Sequence, residues 1–257
     1  MHAELQVPLE WPLAFALVLS RMAGVFVFVP MPVKEAGPGM ARIVFAFATA
    51  LALFPHWPVI DTADVTVGVL AGWLFSEVAF GLSVGLVTGF LAEALTMGAQ
   101  ILGLQAGYGY ASVVDPTTSA DSDVLQVLAQ LTSGLLFFSL GLHRWLIRAF
   151  ALSLDRYPPG QFTLSRDLAE TVIRLGSSVF TVGLRVALPI VGLLAMTEIA
   201  LALVGRMTPQ LHLGSSSVAL KLLLALITLS TVLKVVPNVY EAYAGQLLGA
   251  LRRALFE

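Results

Sequence analysis

The chain has 257 residues, of which 58% are hydrophobic and 12% charged, and its mean hydropathy is +0.88. Because soluble domains carry roughly 25% charged residues, this composition places the chain in or against lipid. The net charge of −2 gives no support for nucleic-acid binding, and the absence of cysteine excludes disulfides and thiolate metal sites. The length leaves room for about six long helices. We predict an all-α, membrane-associated fold.

The first half of the chain contains three apolar blocks. Residues 11–33 and 40–60 each have the length of one membrane crossing, and the acidic residues before the first block do not resemble a cleaved signal peptide. Residues 65–105 are apolar for about twice that length. This third block is therefore either one unusually long helix or a tight hairpin.

Three glycines in the third block, Gly81, Gly85 and Gly89, repeat at every fourth residue. This spacing places them on one helical face and lets another backbone approach closely. Packing within the chain and contact with another subunit both fit the pattern.

The central segment, residues 98–124, is rich in glycine and then in acidic and hydroxyl side chains. Glycine weakens a helix, and Pro116 disfavours helical geometry at Asp115. Non-helical backbone at membrane depth is tolerated only where protein or a water-filled cavity surrounds it. The segment is therefore either a surface loop between two membrane helices or an irregular segment that lines a passage. An N-cap at Ser122 or Asp123 predicts a helix that starts near Val124.

The second half begins with an apolar block at residues 124–154, followed by a polar connection at residues 155–167 that we take as the boundary between two parts, 1–160 and 161–257. Residues 168–204 again exceed one crossing, with a kink expected at Pro189. A last apolar block starts near Val218, and residues 237–257 are amphipathic, so that one face fits against protein or a membrane surface.

Several charges lie inside the apolar blocks. Each would cost roughly 2.5–3.5 kcal/mol at the centre of a bilayer, so most are expected to face protein, water or each other. These residues are Arg21, Arg42, Glu77, Glu93, Arg185, Glu198 and Lys221.

No pattern of residues indicates catalysis. The four histidines are scattered, and neither a nucleophile motif nor a phosphate-binding glycine loop is present. An intramembrane serine nucleophile within Ser215, Ser216 and Ser217 is an alternative, but serines that cap a helix near Val218 explain this run better. We predict a non-enzymatic protein with no catalytic residue, no metal site and no cofactor.

Five short motifs follow one another along the chain. The first, the run GYGYASVVDP at residues 107–116, resembles the Q-x-G-x-x-x-A-x-x-x-D-P signature of the FliR family of membrane proteins of the flagellar type III export apparatus. The segments LHRWL at 142–146, YPPG at 157–160, VALP at 186–189 and GRMTPQL at 205–211 are similar to further family segments. Lys221 stands where many members place a lysine.

The resemblance implies a non-enzymatic gate subunit. Its first part, residues 1–160, would be FliP-like and its last part, residues 161–257, a FliQ-like helical hairpin. The resemblance places a pore plug in the central segment, at Gly107, Tyr108, Gly109, Tyr110, Ala111, Ser112, Asp115, Pro116, Thr117 and Thr118. Structural or interface roles are expected for Arg206, Pro209, Gln210, Gly81, Gly85, Gly89, Arg21, Arg185 and Glu198.

The partners that the resemblance implies are FliP and FliQ, together with FlhB, FlhA, a rod-base protein and the exported unfolded proteins. The implied location is the inner membrane and the flagellar basal body, with the assembly raised out of the bilayer plane. The alternative function is a polytopic secondary transporter with a discontinuous central helix, whose expected marks are paired broken helices in two related halves.

Overall fold

The computed structural model describes residues 10–32, 38–60, 65–107, 124–158, 162, 165–207 and 213–256. Within these ranges the chain forms seven α-helices, one short 3₁₀ turn (Phe54–His56) and no strand, which confirms the all-α prediction. The helices are α1 (Glu10–Phe26), α2 (Pro38–Ala52), α3 (Val67–Ala106), α4 (Val124–Ser139), α5 (Leu142–Arg156), α6 (Arg166–Met207) and α7 (Leu213–Phe256).

The third apolar block is one helix rather than a hairpin. Helix α3 runs for 40 residues without a break, and at 1.5 Å per residue it is about 60 Å long. This length is about twice the thickness of a hydrocarbon core. The first two blocks form shorter helices, because turns follow α1 at Phe26 and α2 at Ala52.

The apolar block at residues 124–154 is divided into two helices, α4 and α5, which are bent by 62° relative to each other. The break lies at Gly141, whose φ of +71° belongs to the left-handed region that favours glycine. Hydropathy alone does not reveal such a break, because apolar residues stand on both sides of it. Helix α4 is described from Val124 onward, and the predicted caps Ser122 and Asp123 lie outside the described residues.

The last two helices are the longest, with 42 residues in α6 and 44 in α7. Pro189 lies inside α6 and Pro237 inside α7, and neither proline ends its helix. The predicted amphipathic tail is the end of α7, where Tyr243, Leu247 and Leu251 are buried against protein.

The predicted helix start near Val218 is wrong. Helix α7 already begins at Leu213, so Ser215, Ser216 and Ser217 lie within its first turns and do not precede it. Serine is only slightly less favourable than alanine inside a helix, and three serines therefore do not prevent the helix from extending back to Leu213.

The described residues fall into two compact units. The first unit comes from residues 1–89, 137–174 and 247–257, and the second from residues 90–136 and 175–246. One apolar cluster of the first unit is built on Ala14, Leu17 and Ile60. The division of the chain at residue 160 concerns likeness to two other proteins, so this spatial division does not test it.

Three helices are long and apolar enough to cross a membrane, namely α3, α6 and residues 220–256 of α7. The bent pair α4 and α5 gives a fourth candidate if it is counted as one span. Only 17% of the apolar stretch of α6 and 11% of that of α7 are buried by the chain itself. These two helices therefore offer wide apolar faces to lipid or to another protein.

Candidate functional site

The predicted plug begins at the end of α3. Gly107 follows the last helical residue with a φ of +85°, and its N–H donates to the carbonyl of Leu104 at 3.3 Å. A left-handed glycine after the last helical turn is a common way to end a helix. The other predicted plug residues lie outside the described part of the chain: Tyr108, Gly109, Tyr110, Ala111, Ser112, Asp115, Pro116, Thr117 and Thr118.

The helix ends that flank the plug segment share one apolar cluster in the second unit. Ala106, at the end of α3, is buried in the cluster, and Leu125, at the start of α4, packs against it. The cluster also contains Ile190 of α6 and Ala225 of α7. The two helix ends on either side of residues 108–123 therefore belong to the same packed core.

The predicted glycine stripe of α3 faces helix α1 within the same chain. A Cβ atom built on Gly81 would overlap the backbone carbonyl of Arg21, and one built on Gly85 would lie 2.6 Å from the carbonyl oxygen of Val25. Gly24 of α1 is equally crowded, because a Cβ there would lie 2.8 Å from the backbone nitrogen of Leu82. Real Cβ atoms do not approach backbone so closely. The two helices therefore touch backbone to backbone.

Gly89 ends the stripe beside the turn after α1. A Cβ at this position would lie 3.1 Å from both the Cβ and the carbonyl oxygen of Phe28. The contact is looser than those at Gly81 and Gly85, so α1 and α3 lie closest in the last two turns of α1, at residues 21–25.

Arg21 and Glu77 form a buried ion pair at this helix contact. Their side chains are 0% and 1% exposed. The guanidinium donates to both carboxylate oxygens of Glu77, from Nε to Oε2 and from Nη2 to Oε1, the latter at 3.0 Å. Such a bidentate pair fixes the relative orientation of the two side chains and also neutralises their charges.

The rest of the guanidinium is satisfied by Ser153, which no sequence motif contains, and by the backbone of Tyr157, the first residue of the YPPG segment. Nη1 donates to Ser153 Oγ at 3.0 Å, and Nη2 donates to the carbonyl of Tyr157 at 3.1 Å. The Cζ atom lies 4.7 Å from the centre of the Phe80 ring. Ser153 lies on the buried face of helix α5, which is amphipathic. The position of this serine among the apolar residues of that face is the one feature of the sequence that points to it.

Glu198 and Lys221 form a second ion pair, which joins α6 to α7 in the second unit. Lys221 Nζ donates to Glu198 Oε1 at 2.5 Å. The side chains are 24% exposed for Lys221 and 41% for Glu198. Two interior charges on adjacent apolar helices thus satisfy each other, at a partly open site.

Two other predicted interface residues, Arg185 and Arg206, are exposed on α6. Within the described ranges neither guanidinium forms an ion pair with a carboxylate. Arg185 lies at a shallow depression between Phe180, Leu184 and Leu188. Pro209 and Gln210 lie outside the described residues.

The described ranges hold no group of three or more His, Asp or Glu side chains placed to bind one metal ion. The polar contacts that join helices in these ranges include the network around Arg21 and the ion pair between Glu198 and Lys221. They suit a role in holding helices together, with no paired nucleophile and base among the contacts that surround Arg21.

Comparison with known proteins gives one consistent result. The sequence profile of the bacterial export proteins, family 1, matches residues 13–247. The chain is 29% identical over 204 residues to the flagellar biosynthetic protein FliR of Escherichia coli (strain K12). This alignment covers 79% of this chain and 75% of that protein.

Relatives from other bacteria are similar over more of the chain. Identity to the flagellar biosynthetic protein FliR of Bacillus subtilis (strain 168) is 27% over 237 residues, covering 89% of this chain and 90% of that protein. Identity to the protein of the same name from Pectobacterium carotovorum subsp. carotovorum is 26% over 232 residues, covering 90% of this chain and 86% of that protein.

Proposed function

This chain belongs to the bacterial export proteins, family 1, and from that premise we propose that it is a structural and gating subunit of the flagellar protein export apparatus. The observation that carries the proposal is the match of the family over residues 13–247, together with flagellar relatives that are aligned over most of their own length. The role is non-enzymatic, and the chain acts by shaping a passage for other proteins.

The exposed faces of α6 and α7 support a role within a larger assembly. The exposed side chains on α6 include Phe180, Met196 and Met207, which are 64%, 72% and 82% exposed. Lipid and apolar partner helices are the two environments in which such faces are stable. In an assembly, partner helices would cover part of these apolar faces, so that neither α6 nor α7 would expose them to water.

The proposed partners are FliP and FliQ, with which this chain forms the pore for unfolded flagellar proteins. Residues 1–160 take a FliP-like place and residues 161–257 a FliQ-like place. FlhB, FlhA and a rod-base protein contact the same assembly. The proposed location is the inner membrane and the basal body.

In this proposal the segment 107–118 plugs the pore while no substrate is passing. Gly107 ends α3 cleanly, and both neighbouring helix ends are held by one apolar cluster. A plug must leave its closed position without unfolding the core, and a segment anchored at both ends by packed helices meets that requirement.

The proposal is tested by expressing the tagged chain together with its genomic neighbours and purifying it in a mild detergent. The mass of the intact particle is then measured by native mass spectrometry. We expect one large complex that contains two further small multi-helix proteins. A lone monomer or homodimer, purified although the neighbours are expressed, would contradict the gate function and favour the secondary transporter, which uptake of labelled substrates would then examine.

A further inference from the structure

A charged cleft lies in the first unit, where the C-terminal ends of α5 and α7 come together. Arg156 of α5 and Arg252 of α7 line it, with Trp145 and Phe256 forming part of its wall. The cleft is open to the outside and has a volume of about 700 Å³. This size is typical of sites for small ligands or for part of a larger one.

Three charged side chains line this cleft, two arginines and the carboxylate of Asp155, so its net charge is positive, and the described part of the chain supplies no ion-pair partner for either arginine. Neither Arg156 nor Arg252 forms an ion pair or a hydrogen bond with any side chain there. Asp155, which also lines the cleft, lies 3.5 Å from the Nδ1 atom of His56. The cleft therefore presents two guanidinium groups to one space.

The wall of the cleft is apolar and partly exposed. Leu152 is 62% exposed, and Trp145 and Phe256 line the same cleft. Tryptophan is enriched at the boundary between membrane and water because its ring is amphipathic. The cleft therefore combines anion-binding groups with a surface suited to hydrocarbon.

The position of the arginines along their helices also fits a membrane boundary. Arg156 is the last residue of the bent pair α4 and α5, and Arg252 stands four residues before the end of the span that finishes at Phe256. Arginines at the ends of helices also complement the helix dipole. The helix dipole alone would explain an arginine at the end of each helix. It would not explain why the arginines of two helices line the same cleft as a tryptophan.

We propose that this cleft binds the phosphate of an anionic phospholipid, with Arg156 and Arg252 as the phosphate ligands and Trp145, Leu152 and Phe256 in contact with the glycerol backbone and upper acyl chains. Arginine pairs with phosphate oxygens through two parallel hydrogen bonds. An acidic peptide would use the same charges, but it would leave the exposed apolar wall without a partner. The proposal does not depend on pore formation, since it concerns the purified chain alone.

The test is native mass spectrometry of the full-length chain in mild detergent with either phosphatidylglycerol or phosphatidylcholine added. We expect phosphatidylglycerol to bind more tightly than phosphatidylcholine. The double variant Arg156→Gln/Arg252→Gln is expected to lose this preference, with binding of phosphatidylglycerol weakened by about 30-fold. The double variant Arg156→Lys/Arg252→Lys keeps the charge and is expected to retain part of the preference.

The matched control is the double variant Arg148→Gln/Arg253→Gln. It removes the same charge from the same two helices, at exposed positions that do not line the cleft. Equal weakening in the control would show a general charge effect and overturn the proposal, and so would equal binding of the two lipids by the unmodified chain. The comparison of the two lipids uses only the unmodified chain. It can therefore overturn the proposal even if the glutamine variant fails to fold.

Two competitors identify the source of the anion. Inorganic phosphate at the lipid concentration is expected to leave phosphatidylglycerol bound, and displacement would indicate a site for free phosphate instead. A hexaglutamate peptide is likewise expected not to compete. Displacement by that peptide would assign the cleft to an acidic protein partner and overturn the lipid assignment.

Discussion

At the scale of single residues, Arg21 is the most constrained side chain in the described structure. It is fully buried and connects α1 to α3, to α5 and to the residue after α5 through Glu77, Ser153 and Tyr157, respectively. A buried charge is stable only when its partners satisfy it, and removal of one partner leaves the other charge without compensation. The network therefore specifies one arrangement of these helices.

The substitution Glu77→Gln is expected to destabilise the chain by about 3–5 kcal/mol, because it leaves a buried guanidinium without its counter-charge. Thermal unfolding of the purified chain in mild detergent measures the loss. The double variant Arg21→Leu/Glu77→Leu removes both charges and is expected to unfold at a higher temperature than Glu77→Gln. Ser153 keeps a partner in that variant, because its hydroxyl also donates to the carbonyl of Phe150.

The control is Glu170→Gln, which breaks the exposed i,i+4 pair with Arg166. Exposed helix pairs contribute about 0.3–0.5 kcal/mol, so the unfolding temperature is expected to change little. An equally small effect of Glu77→Gln would show that the buried pair does not hold the helices.

At the scale of elements, the contact between α1 and α3 depends on glycine more than on apolar bulk. Gly24 on one helix and Gly81 and Gly85 on the other bring the two backbones together. This close approach brings the start of the Arg21 side chain to α3, where Glu77 lies one turn before Gly81. The ion pair and the glycine stripe are therefore two parts of one contact.

The substitution Gly81→Ala is expected to lower the unfolding temperature, although alanine is the better helix former by about 1 kcal/mol. The added methyl group would overlap the backbone of Arg21, which cannot move aside as a flexible side chain can. Gly72→Ala, in the same helix, is the matched control, because a Cβ there meets nothing within 4 Å. We expect the control to be neutral or slightly stabilising, and the same result for Gly81→Ala would contradict close packing of α1 on α3.

The sequence predicted some of these elements and missed others, for identifiable reasons. The glycine spacing on one face of α3 could be derived from a local pattern. The pairing of Arg21 with Glu77 could not, since 56 residues separate them and several interior charges competed as partners. The break at Gly141 escaped because a single glycine inside an apolar block also occurs in unbroken helices.

At the scale of the whole molecule, the described structure contains more apolar surface than one chain can bury. The long helices α6 and α7 contribute a large part of it, and their shared ion pair between Glu198 and Lys221 keeps two interior charges satisfied. A helix pair of this kind is stable beside lipid or beside similar helices. The wide apolar faces and the family membership agree on a place inside a membrane assembly.

Deletion of residues 108–118 is expected to raise leakage of small solutes through the assembled complex, because the proposed plug would be missing while both anchoring helices remain. The measurement is dye efflux from vesicles that contain the purified complex. Particle mass is checked in parallel, so that loss of assembly is distinguished from loss of the plug. Unchanged efflux from a fully assembled variant would exclude the segment as the plug.

The buried pair of Arg21 and Glu77 also has a consequence for how the protein is made. A ribosome adds about 5–20 residues per second, so the 56 residues between the two partners take roughly 3–11 s to synthesise. During that interval the 17-residue helix α1 carries a charge that has no counter-ion. We expect the nascent α1 to stay at the membrane surface until α3 emerges and Glu77 can pair with Arg21.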